Sequence, residues 1–447
     1  MWSATAAGSA PPRGGFFTSQ PAQLVATASG VEIKPLLSAG DIVGGYQATG
    51  VMDGLGIYRI SSSQIGVMMN HELEGADPTW ARVSKLTLSN TGGVLAGSYP
   101  IDGNEGYEDF CSSTLTEIGG QPWYTLGEET LTEGKGVALA VNANTGQRVE
   151  MPWMGRFEHE NVIPMATLGT KGRVMVMLTE DEEAGLSQQY AYIANSWSDV
   201  LAGNGTLYVW VPDNKGDGDP SPDDIQKGQS MTGRFVPVTA ADTVSYASLE
   251  AKAQSLQAFD FVRPEDGTEV AGQTGAFYMA DTGTKNSEDD KGRIYKFQVN
   301  TKDWTKATLS ITLDSKVDAI INPDNVGSSS TTLVIQEDRN SDNRKDATGQ
   351  MDQGGYSRIF TYSFATKALT AVARVNTPDR DAQQYGFGAW ESSGAVDASK
   401  FFGSGSWLVV VQAHTQTAPQ PGFDLVPNSS SGEASQLILL KIPGSTP

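Results

Sequence analysis

The chain has 447 residues, a net charge of -21 and a hydrophobic fraction of 38%. This negative charge disfavours nucleic acid and anionic membranes as partners, because both would repel the protein surface. The single cysteine, Cys111, excludes an intramolecular disulfide, and no apolar run reaches the roughly 18 residues that a membrane-spanning helix needs.

Six short apolar runs have the length and composition of β-strands, and each leads into acidic residues or a histidine. The runs are 67–69, 123–126, 174–178, 276–280, 333–335 and 407–411. The polar residues that follow are Asn70-His71-Glu72, Glu128-Glu129, Glu180-Asp181-Glu182-Glu183, Asp281, Glu337-Asp338 and His414. Carboxylates at strand ends suit a site better than a core. We therefore expect them to meet at one place and bind hard cations.

A second set of runs is rich in Tyr, Phe and Val and closes with Gly, Asn, Asp or Thr. These runs are 137–142, 207–211, 294–297, 359–364 and 437–442. An inner strand that ends in acid, followed by an outer strand of this kind, recurs along the chain and is typical of a radial repeat. The sequence predicts an all-β protein, a β-propeller of about six blades. A sandwich or a two-domain β protein is the alternative.

Helix is expected only in loop insertions, at residues 187–195 and 245–258. The first 20 residues are small, polar and rich in Pro and Gly, and they show no signal-peptide pattern. We predict a flexible N-terminal segment at 1–20 and a single propeller domain at 21–447, with short helical insertions in its loops.

Two of the three histidines each lie next to a glutamate, in Asn70-His71-Glu72 and Glu158-His159-Glu160. In the functional interpretation, Glu72 and Glu160 ligate a cation, while His71 and His159 orient them from behind. In the alternative interpretation, each histidine is a core residue satisfied by a carboxylate.

Cys111 and Arg263 each have two interpretations. Cys111 is either a small buried apolar residue or a thiolate ligand for a metal such as iron. Arg263, in Arg263-Pro264-Glu265-Asp266, could bind an oxyanion with both arms of its guanidinium, or it could form a surface ion pair.

Several catalytic patterns are absent from the sequence. It has no Gly-x-Ser-x-Gly elbow, no Cys-x-x-Cys pair, no Gly-rich phosphate loop and no His-Glu-x-x-His. Three histidines in the whole chain also disfavour a zinc hydrolase, whose ligands usually include two or three.

The ordered motifs resemble those of the PhoX-type alkaline phosphatases and of the wider group of bacterial proteins that share their domain. The similarity extends from about Gly44 to about Asp338. The motifs are Asn70-His71-Glu72, Cys111 followed by Glu128-Glu129, Gly155-Arg156-Phe157-Glu158-His159-Glu160, Arg263-Pro264-Glu265-Asp266, Pro323-Asp324-Asn325 and Glu337-Asp338.

This resemblance implies a β-propeller phosphatase, exported to the periplasm or outside the cell, that hydrolyses small phosphate esters with Fe³⁺ and Ca²⁺. It implies that Arg263 contacts the phosphate and that His71 and His159 support the ligands. The metal ligands that it implies are Glu72, Cys111, Glu128, Glu129, Glu160, Glu265, Asp324, Asn325 and Asp338.

The chain departs from the family pattern in two places. Phe110-Cys111-Ser112-Ser113 stands where members usually have Asn-Cys-Ala-Gly-Gly, and Gly127 stands where a cysteine often precedes the Glu-Glu pair. These differences leave the substrate open, with phosphodiesters, phytate or a lactone as further possibilities. A non-catalytic, calcium-stabilised propeller that serves as a surface or assembly protein is the alternative function.

Overall fold

The computed structural model describes residues 14–73, 80–169, 172–182, 187–216, 218, 220–285, 287–339, 355–416 and 433–445. Within these ranges the regular structure is almost entirely β-strand. The helices are short and few: α1 (Trp197–Leu201), α2 (Tyr246–Leu256), α3 (Asp379–Tyr385) and α4 (Ser399–Phe402). No described helix combines the length and the apolar character that crossing a membrane would require.

The strands follow one another in successive antiparallel groups. The N-terminal strands are β1 (Leu24–Ala26), β2 (Glu32–Ser38), β3 (Ile42–Val43) and β4 (Tyr46–Gln47). The next two groups are β5 (Met52–Ser61), β6 (Gln64–His71), β7 (Arg82–Ser89) and β8 (Val94–Ile101), then β9 (Ser113–Ile118), β10 (Gln121–Gly127), β11 (Ala138–Asn142) and β12 (Arg148–Glu150).

The second half of the chain repeats this arrangement. Its strands are β13 (His159–Pro164), β14 (Val174–Glu180), β15 (Tyr190–Ala194), β16 (Thr206–Pro212) and β17 (Ser230–Pro237), then β18 (Pro264–Glu269), β19 (Ala276–Asp281), β20 (Arg293–Val299) and β21 (Lys306–Asp314). The last are β22 (Pro323–Ser328), β23 (Thr332–Glu337), β24 (Arg358–Ser363) and β25 (Leu369–Val375), then β26 (Glu391–Asp397), β27 (Ser406–Ala413) and β28 (Ala434–Lys441).

Strand pairing shows how these groups form blades and how the chain closes on itself. β5–β8 and β9–β12 are separate sheets, whereas β13–β16 and β18–β21 are joined edge to edge through β17. β1 adds to the outside of β22–β25, and β2 completes β26–β28 by pairing with β28. The last blade is therefore built from both ends of the chain, which locks the ring without a disulfide.

The first strand of each group lies at the centre of the molecule. β5, β9, β13, β18, β22 and β26 contact one another in that order, and β26 contacts β5 again. Such a closed ring of first strands is the arrangement of a β-propeller, so the predicted all-β propeller fold is confirmed. The strands that lead into acidic residues or His414 (β6, β10, β14, β19, β23 and β27) stand second in their blades, outside this ring and inside the strands rich in Tyr, Phe and Val. The first strands themselves were not predicted.

The hydrophobic core lies between neighbouring blades. β27 is buried at every position, because both faces of its sheet are covered by adjacent blades. Trp210 contacts Phe259 and Phe297 within the packing of the third and fourth blades, with ring centroids 5.8 and 5.3 Å apart. This packing holds the blades, and hence the ends of their first strands, in fixed positions.

The two helix predictions have different outcomes. Residues 246–256 form α2, which starts at Ser245, whose side chain accepts a hydrogen bond from the backbone N–H of Ser248. The helix predicted at 187–195 is wrong, because residues 190–194 form β15 between β14 and β16. Tyr190 and Tyr192 point to one face and Ala191 and Ile193 to the other, and all four are buried. Packing on both faces therefore overrides the weak helix propensity of this segment.

The predicted division of the chain at residue 21 stays a prediction. Phe16 exchanges two backbone hydrogen bonds with Val94 at 2.8 Å, and the Thr18 N–H donates to Leu36 O. Residues 16–18 are thus attached to the first and last blades. Residues 1–13 lie outside the described ranges.

Gly54 gives a direct test of how closely the first strands approach at the axis. A Cβ atom on Gly54 would lie 2.5 Å from Ser113 N and 2.7 Å from Cys111 O, both backbone atoms of the neighbouring blade. We expect Gly54→Ala to lower the free energy of unfolding by about 1–3 kcal/mol or more, measured by denaturant titration. Gly14→Ala is the control, because nothing lies within 4 Å of its added Cβ. Equal stabilities of the two variants would contradict this account of the packing.

Candidate metal centre

The first strands begin with a repeated pair of residues, one acidic and the next small or polar. Cys111 takes the acidic position in the second blade. The pairs are Asp53-Gly54, Cys111-Ser112, Glu160-Asn161, Glu265-Asp266, Asp324-Asn325 and Glu391-Ser392. We call the first members of these pairs (Asp53, Cys111, Glu160, Glu265, Asp324 and Glu391) the acidic ring. They lie at or just before the starts of the first strands, so the propeller brings them to one end of the axis.

The backbone at these pairs is irregular in the same way in several blades. In β5, β13, β18 and β22, one extra residue of the first strand is inserted against the second strand at this point. Such a bulge bends the strand and redirects a side chain, and bulges often occur next to active sites. The bulge therefore gives the acidic residue an orientation that regular pairing would not give.

Left-handed backbone precedes four members of the acidic ring. Val51, Asp109, Arg263 and Asn322 have φ angles of 47°, 50°, 60° and 49°. Each stands two residues before a ring member. Non-glycine residues in this region cost of order 1 kcal/mol or more each, and such strain persists only where the surrounding structure enforces it. Its repetition in four blades shows that a sharp turn towards the axis is built into the fold.

The ends of the second strands supply a further layer of polar residues. Glu72, Glu129, Asp181, Asp281, Asp338 and His414 lie at or directly after these ends. Glu72, Glu129 and Asp338 join five members of the acidic ring in three groups, and within each group the ligand atoms lie within 4.8 Å of one another. The groups are Asp53, Glu72 and Cys111; Cys111, Glu129 and Glu160; and Asp324, Asp338 and Glu391. Cys111 is shared by the first two groups.

The electrostatics of these groups favour bound positive charge. Burial raises the pKa of Glu160 to about 7 and that of Glu391 to about 8. Burial, and then repulsion from neighbouring carboxylates, raises the pKa values of Asp53, Glu129 and Asp324 well above their ordinary range. Close carboxylates in a desolvated site cannot all ionise unless cations neutralise them.

Some carboxylate oxygens in these groups have no hydrogen-bond donor in good geometry and are therefore available to such cations. Neither carboxylate oxygen of Glu160, nor Oδ1 of Asp53, receives a hydrogen bond of good geometry, although the Ser112 and Cys111 side chains lie close enough to lower the pKa of Glu160. Buried oxygens without donors are costly unless a cation takes their lone pairs. Carboxylate oxygens suit calcium, and oxygens combined with one thiolate suit iron, so the residues fit the metals implied by the sequence.

Cys111 is held firmly in this arrangement. Its carbonyl oxygen accepts hydrogen bonds from Asn70 Nδ2 at 2.8 Å and from Gly54 N at 3.1 Å. Tyr124 supports Asn70, since its hydroxyl lies 2.8 Å from Asn70 Oδ1. The Cys111 sulfur lies 3.5 Å from Asp53 Oδ2. Asn70, the first residue of the Asn-His-Glu motif, thus fixes the backbone that carries the thiol.

His71 and His159 are buried among neutral partners. His71 donates from Nδ1 to Gly50 O at 2.9 Å and accepts at Nε2 from Ser84 Oγ at 2.7 Å. His159 donates from Nε2 to Gly155 O at 3.1 Å. Burial lowers the pKa of both to about 3, so both rings are neutral. The bond from His71 supports the turn that precedes Asp53.

His414 behaves differently and lies at the edge of the site. It contacts Glu433 at 2.9 Å and Glu391 at 3.6 Å. Although burial opposes the charged form, these two carboxylates raise the pKa of His414 well above its ordinary value. Near Glu72, the Gln412 amide donates to Glu72 Oε2 at 2.7 Å and to Asp53 Oδ2 at 2.9 Å.

Arg263 lies beside the acidic ring with carboxylates on its guanidinium. Its Nε and Nη2 donate to the Asp181 carboxylate at 3.0 and 2.6 Å, and Nη2 lies 2.7 Å from Glu265 Oε1. Asp181 is fully buried, and the Arg263 side chain is 14% exposed. The two-point contact with Asp181 fixes the plane of the guanidinium.

Glu128 and Asn325, the remaining predicted ligands, form hydrogen bonds with groups outside the three ligand groups. Glu128 accepts hydrogen bonds from the N–H groups of Glu108 and Val137 at 3.2 and 3.4 Å. Asn325 donates to Ser112 Oγ at 2.8 Å and accepts from Gly394 N at 3.1 Å, which links three blades. Glu72, Cys111, Glu129, Glu160, Asp324 and Asp338 are the predicted ligands that the structure brings into the three groups.

Asp53, Glu391 and the role of Asp181 were not predicted from the sequence. Asp53 and Glu391 stand at the starts of first strands, whereas the apolar runs identify only the ends of second strands. The repeat of an acidic residue followed by Gly, Asn, Asp or Ser could have identified them. Asp181 was recognised as acidic, but its pairing with Arg263 is a tertiary contact that no local pattern indicates.

Comparisons with known proteins agree with this architecture. The family model described as alkaline phosphatase PhoX matches residues 122–395. Among solved structures, PhoX of Pseudomonas fluorescens in complex with vanadate, a transition state analogue, has a TM-score of 0.67 at 15% identity, and the match covers 97% of this chain and 100% of that one. TolB from Acinetobacter baumannii has a TM-score of 0.37 at 9% identity, covering 87% of this chain and 66% of that one.

A search of curated proteins gives no match. The structural likeness at 15% identity establishes the fold alone. The family model, however, covers more than half of the 447 residues, including all or part of four of the six central strands. The chain therefore belongs to the alkaline phosphatase PhoX family.

Proposed function

We propose that the protein, a phosphatase by its family, hydrolyses small phosphate esters at the acidic ring with Fe³⁺ and Ca²⁺ bound there. The observation that carries the proposal is the convergence of three ligand groups at one end of the axis, two of which share the thiol of Cys111. A thiol shared between two groups of carboxylates is unusual for a purely structural calcium site, because calcium prefers oxygen ligands.

The donor types suggest which metal each group would hold. Cys111 with Glu129 and Glu160, and Cys111 with Asp53 and Glu72, combine sulfur and oxygen and suit iron. Asp324, Asp338 and Glu391 offer oxygen alone and suit calcium. When bound, these cations would supply positive charge to the phosphoryl oxygens and to the leaving oxygen.

The chain's own residues would orient the substrate and hold the ligands. Arg263 would bind a phosphoryl oxygen and stabilise charge in the transition state, with its guanidinium held in place by Asp181. Glu265 would bind metal while remaining next to Arg263. Four further residues form hydrogen bonds with backbone or hydroxyl groups, and we propose that they stabilise the turns that carry the ligands. They are Glu128, Asn325, His71 and His159.

Membership of the family also suggests where the protein acts and on what substrate. We propose a periplasmic or extracellular location, as in the family, and a small-molecule phosphate ester as the substrate. The non-catalytic, calcium-stabilised propeller remains the alternative. It would need the oxygen ligands but not the thiol, so the role of Cys111 separates the two functions.

Cys111→Ser tests this role. Serine keeps the size of the side chain but replaces the thiolate, so we expect the iron content to fall at least about tenfold while calcium is retained. Metal content would be measured by elemental mass spectrometry on the folded protein, with calcium as the internal control. Iron that survives the substitution would identify Cys111 as a core residue and would favour the structural alternative.

Arg263→Lys tests the substrate contact. Lysine keeps the charge but lacks the two-armed geometry, so we expect the turnover of an aryl phosphate monoester at alkaline pH to fall about 10²-fold. Metal content should be unchanged. The matched control is Arg234→Lys, because Arg234 also pairs with an aspartate, Asp213 at 2.9 Å, on the exposed surface.

Wild-type turnover in Arg263→Lys would remove Arg263 from the proposed site and leave Arg156 and Arg339 as the next candidates. Absence of monoester and diester hydrolysis by fully metal-loaded wild-type protein would contradict the enzymatic proposal itself.

Metal removal should make stability depend on pH. In the metal-free protein Glu160 and Glu391 have pKa values of about 7 and about 8, above the ordinary value of 4.5, so the folded state binds protons more tightly than the unfolded state. Their contribution is complete below about pH 4.5 and is lost as pH rises through 7 and 8. We expect the melting temperature in chelator to fall between about pH 5 and 9.

Saturating calcium should flatten this dependence, because the cation replaces the protons and stabilises the state that it binds. In chelator, Glu160→Gln should show a weaker decline than the wild type. Identical pH profiles with and without calcium would show that Glu391 and its neighbours Asp324 and Asp338 do not hold calcium.

A further inference from the structure

A second group of buried charges lies outside the three ligand groups, around the connection between β19 and β20. Asp281 and Asp289 are 0% exposed, Arg293 is 2% exposed and Asp314 is 5% exposed. Asp281 ends β19, Asp289 lies in the following loop, and Arg293 begins β20. This loop and its neighbours form a compartment on the fourth blade, separate from Cys111 and the carboxylates that surround it.

The charges in this compartment do not balance. Arg293 Nε lies 3.2 Å from Asp289 Oδ2 and 3.5 Å from Asp314 Oδ2, and its Nη1 donates to Pro222 O and the Tyr295 hydroxyl. The compartment thus holds one buried guanidinium and three buried carboxylates. Lys316 is near Asp289, but its side chain is 53% exposed and lies 3.9 Å from Asp223.

Three buried oxygens in the compartment have neither an ion pair nor a hydrogen bond of good geometry, although the Gly292 N–H lies close enough to lower the pKa of Asp289. They are Asp281 Oδ1, Asp289 Oδ1 and Asn322 Oδ1. Asn322 is also 0% exposed, and it connects the two segments that carry the aspartates. Its Nδ2 donates to Thr282 O at 2.8 Å and its N–H donates to Lys291 O at 2.7 Å. A fully buried oxygen without a donor is costly, and three of them beside an excess of negative charge indicate a bound cation.

We propose that Asp281, Asp289 and Asn322 bind a calcium ion that is distinct from the cations of the acidic ring. The available ligands are two carboxylates and one amide carbonyl, with backbone carbonyls and water to complete the shell, which is the ligand set of calcium. Absence of sulfur or imidazole among these residues disfavours zinc and iron. A divalent charge would also balance the three carboxylates against Arg293.

Protons are the competing occupant. Burial and the neighbouring Asp289 raise the pKa of Asp281 well above its ordinary range, and burial raises the pKa of Asp289 to about 7. A proton can neutralise one carboxylate, but it does not give Asn322 Oδ1 and the second carboxylate a common partner. Calcium does both, and it ties the loop after β19 to the segment that leads into β22.

The test compares Asp289→Asn with Asp290→Asn, the adjacent residue on the same loop, in the full-length metal-loaded protein. We expect Asp289→Asn to contain about one calcium ion fewer per chain than the wild type, with iron content and phosphatase turnover unchanged. Asp290→Asn should keep the wild-type calcium content. Calcium would be counted by elemental mass spectrometry after dialysis against calcium-free buffer.

The melting temperature gives a second readout, because Asp289→Asn should raise it in chelator and reduce its increase on addition of calcium. In chelator, Asp289→Asn should melt at a higher temperature than the wild type, because it removes an unbalanced buried charge. In calcium, its gain in melting temperature should be smaller than that of the wild type. A variant that merely disrupted the fold would melt lower in both conditions.

Unchanged calcium content together with an unchanged calcium-induced shift in Asp289→Asn would overturn the proposal and assign the compartment to protons. If the variant does not fold, hydrogen exchange of the wild-type amides decides. The N–H of Thr284, which donates to Asp289 O at 3.1 Å, should exchange more slowly when calcium is added, and equal rates would overturn the proposal. Loss of iron or of turnover in folded Asp289→Asn would show that the compartment is not distinct from the acidic ring and would overturn the proposal.

Discussion

Repulsion among desolvated carboxylates at the propeller axis is the constraint on which the rest of the structure depends. Asp53, Glu160, Asp324 and Glu391 start the first strands of four blades, and burial raises the pKa of each. Such a group is stable only if protons or cations neutralise it. The residues therefore offer a site for metal ions, and the scaffold must hold the carboxylates together against their repulsion.

The scaffold does this by closing on itself and by forcing the backbone to turn at the axis. Pairing of β2 with β28 joins the two ends of the chain in one blade, so no first strand can move outwards alone. Left-handed residues such as Val51 and Asp109 hold strained turns two positions before Asp53 and Cys111. The strain is maintained by the packing of the blades, which links the stability of the fold to the geometry of the site.

The sequence predicted the propeller and part of its centre because apolar runs that end in acid are visible locally. Glu72, Glu129 and Asp338 were predicted in this way, Glu160 from its place beside His159 and Cys111 from its thiol. The resemblance to the family added Asp324. The first strands were missed since they are short and begin with polar or small residues such as Asp53-Gly54 and Glu160-Asn161. The contact between Asp181 and Arg263 depends on the arrangement of neighbouring blades, which sequence patterns do not specify.

The central claim is that the ligand groups around Cys111 bind iron. The most direct test is a crystal structure of the protein as purified, with diffraction data collected on both sides of the iron absorption edge. We predict anomalous iron density within bonding distance of the Cys111 sulfur and of the Glu160 carboxylate, and ions without an iron signal between Asp324, Asp338 and Glu391. A protonated, metal-free ring, or iron density only at other places, would contradict the account.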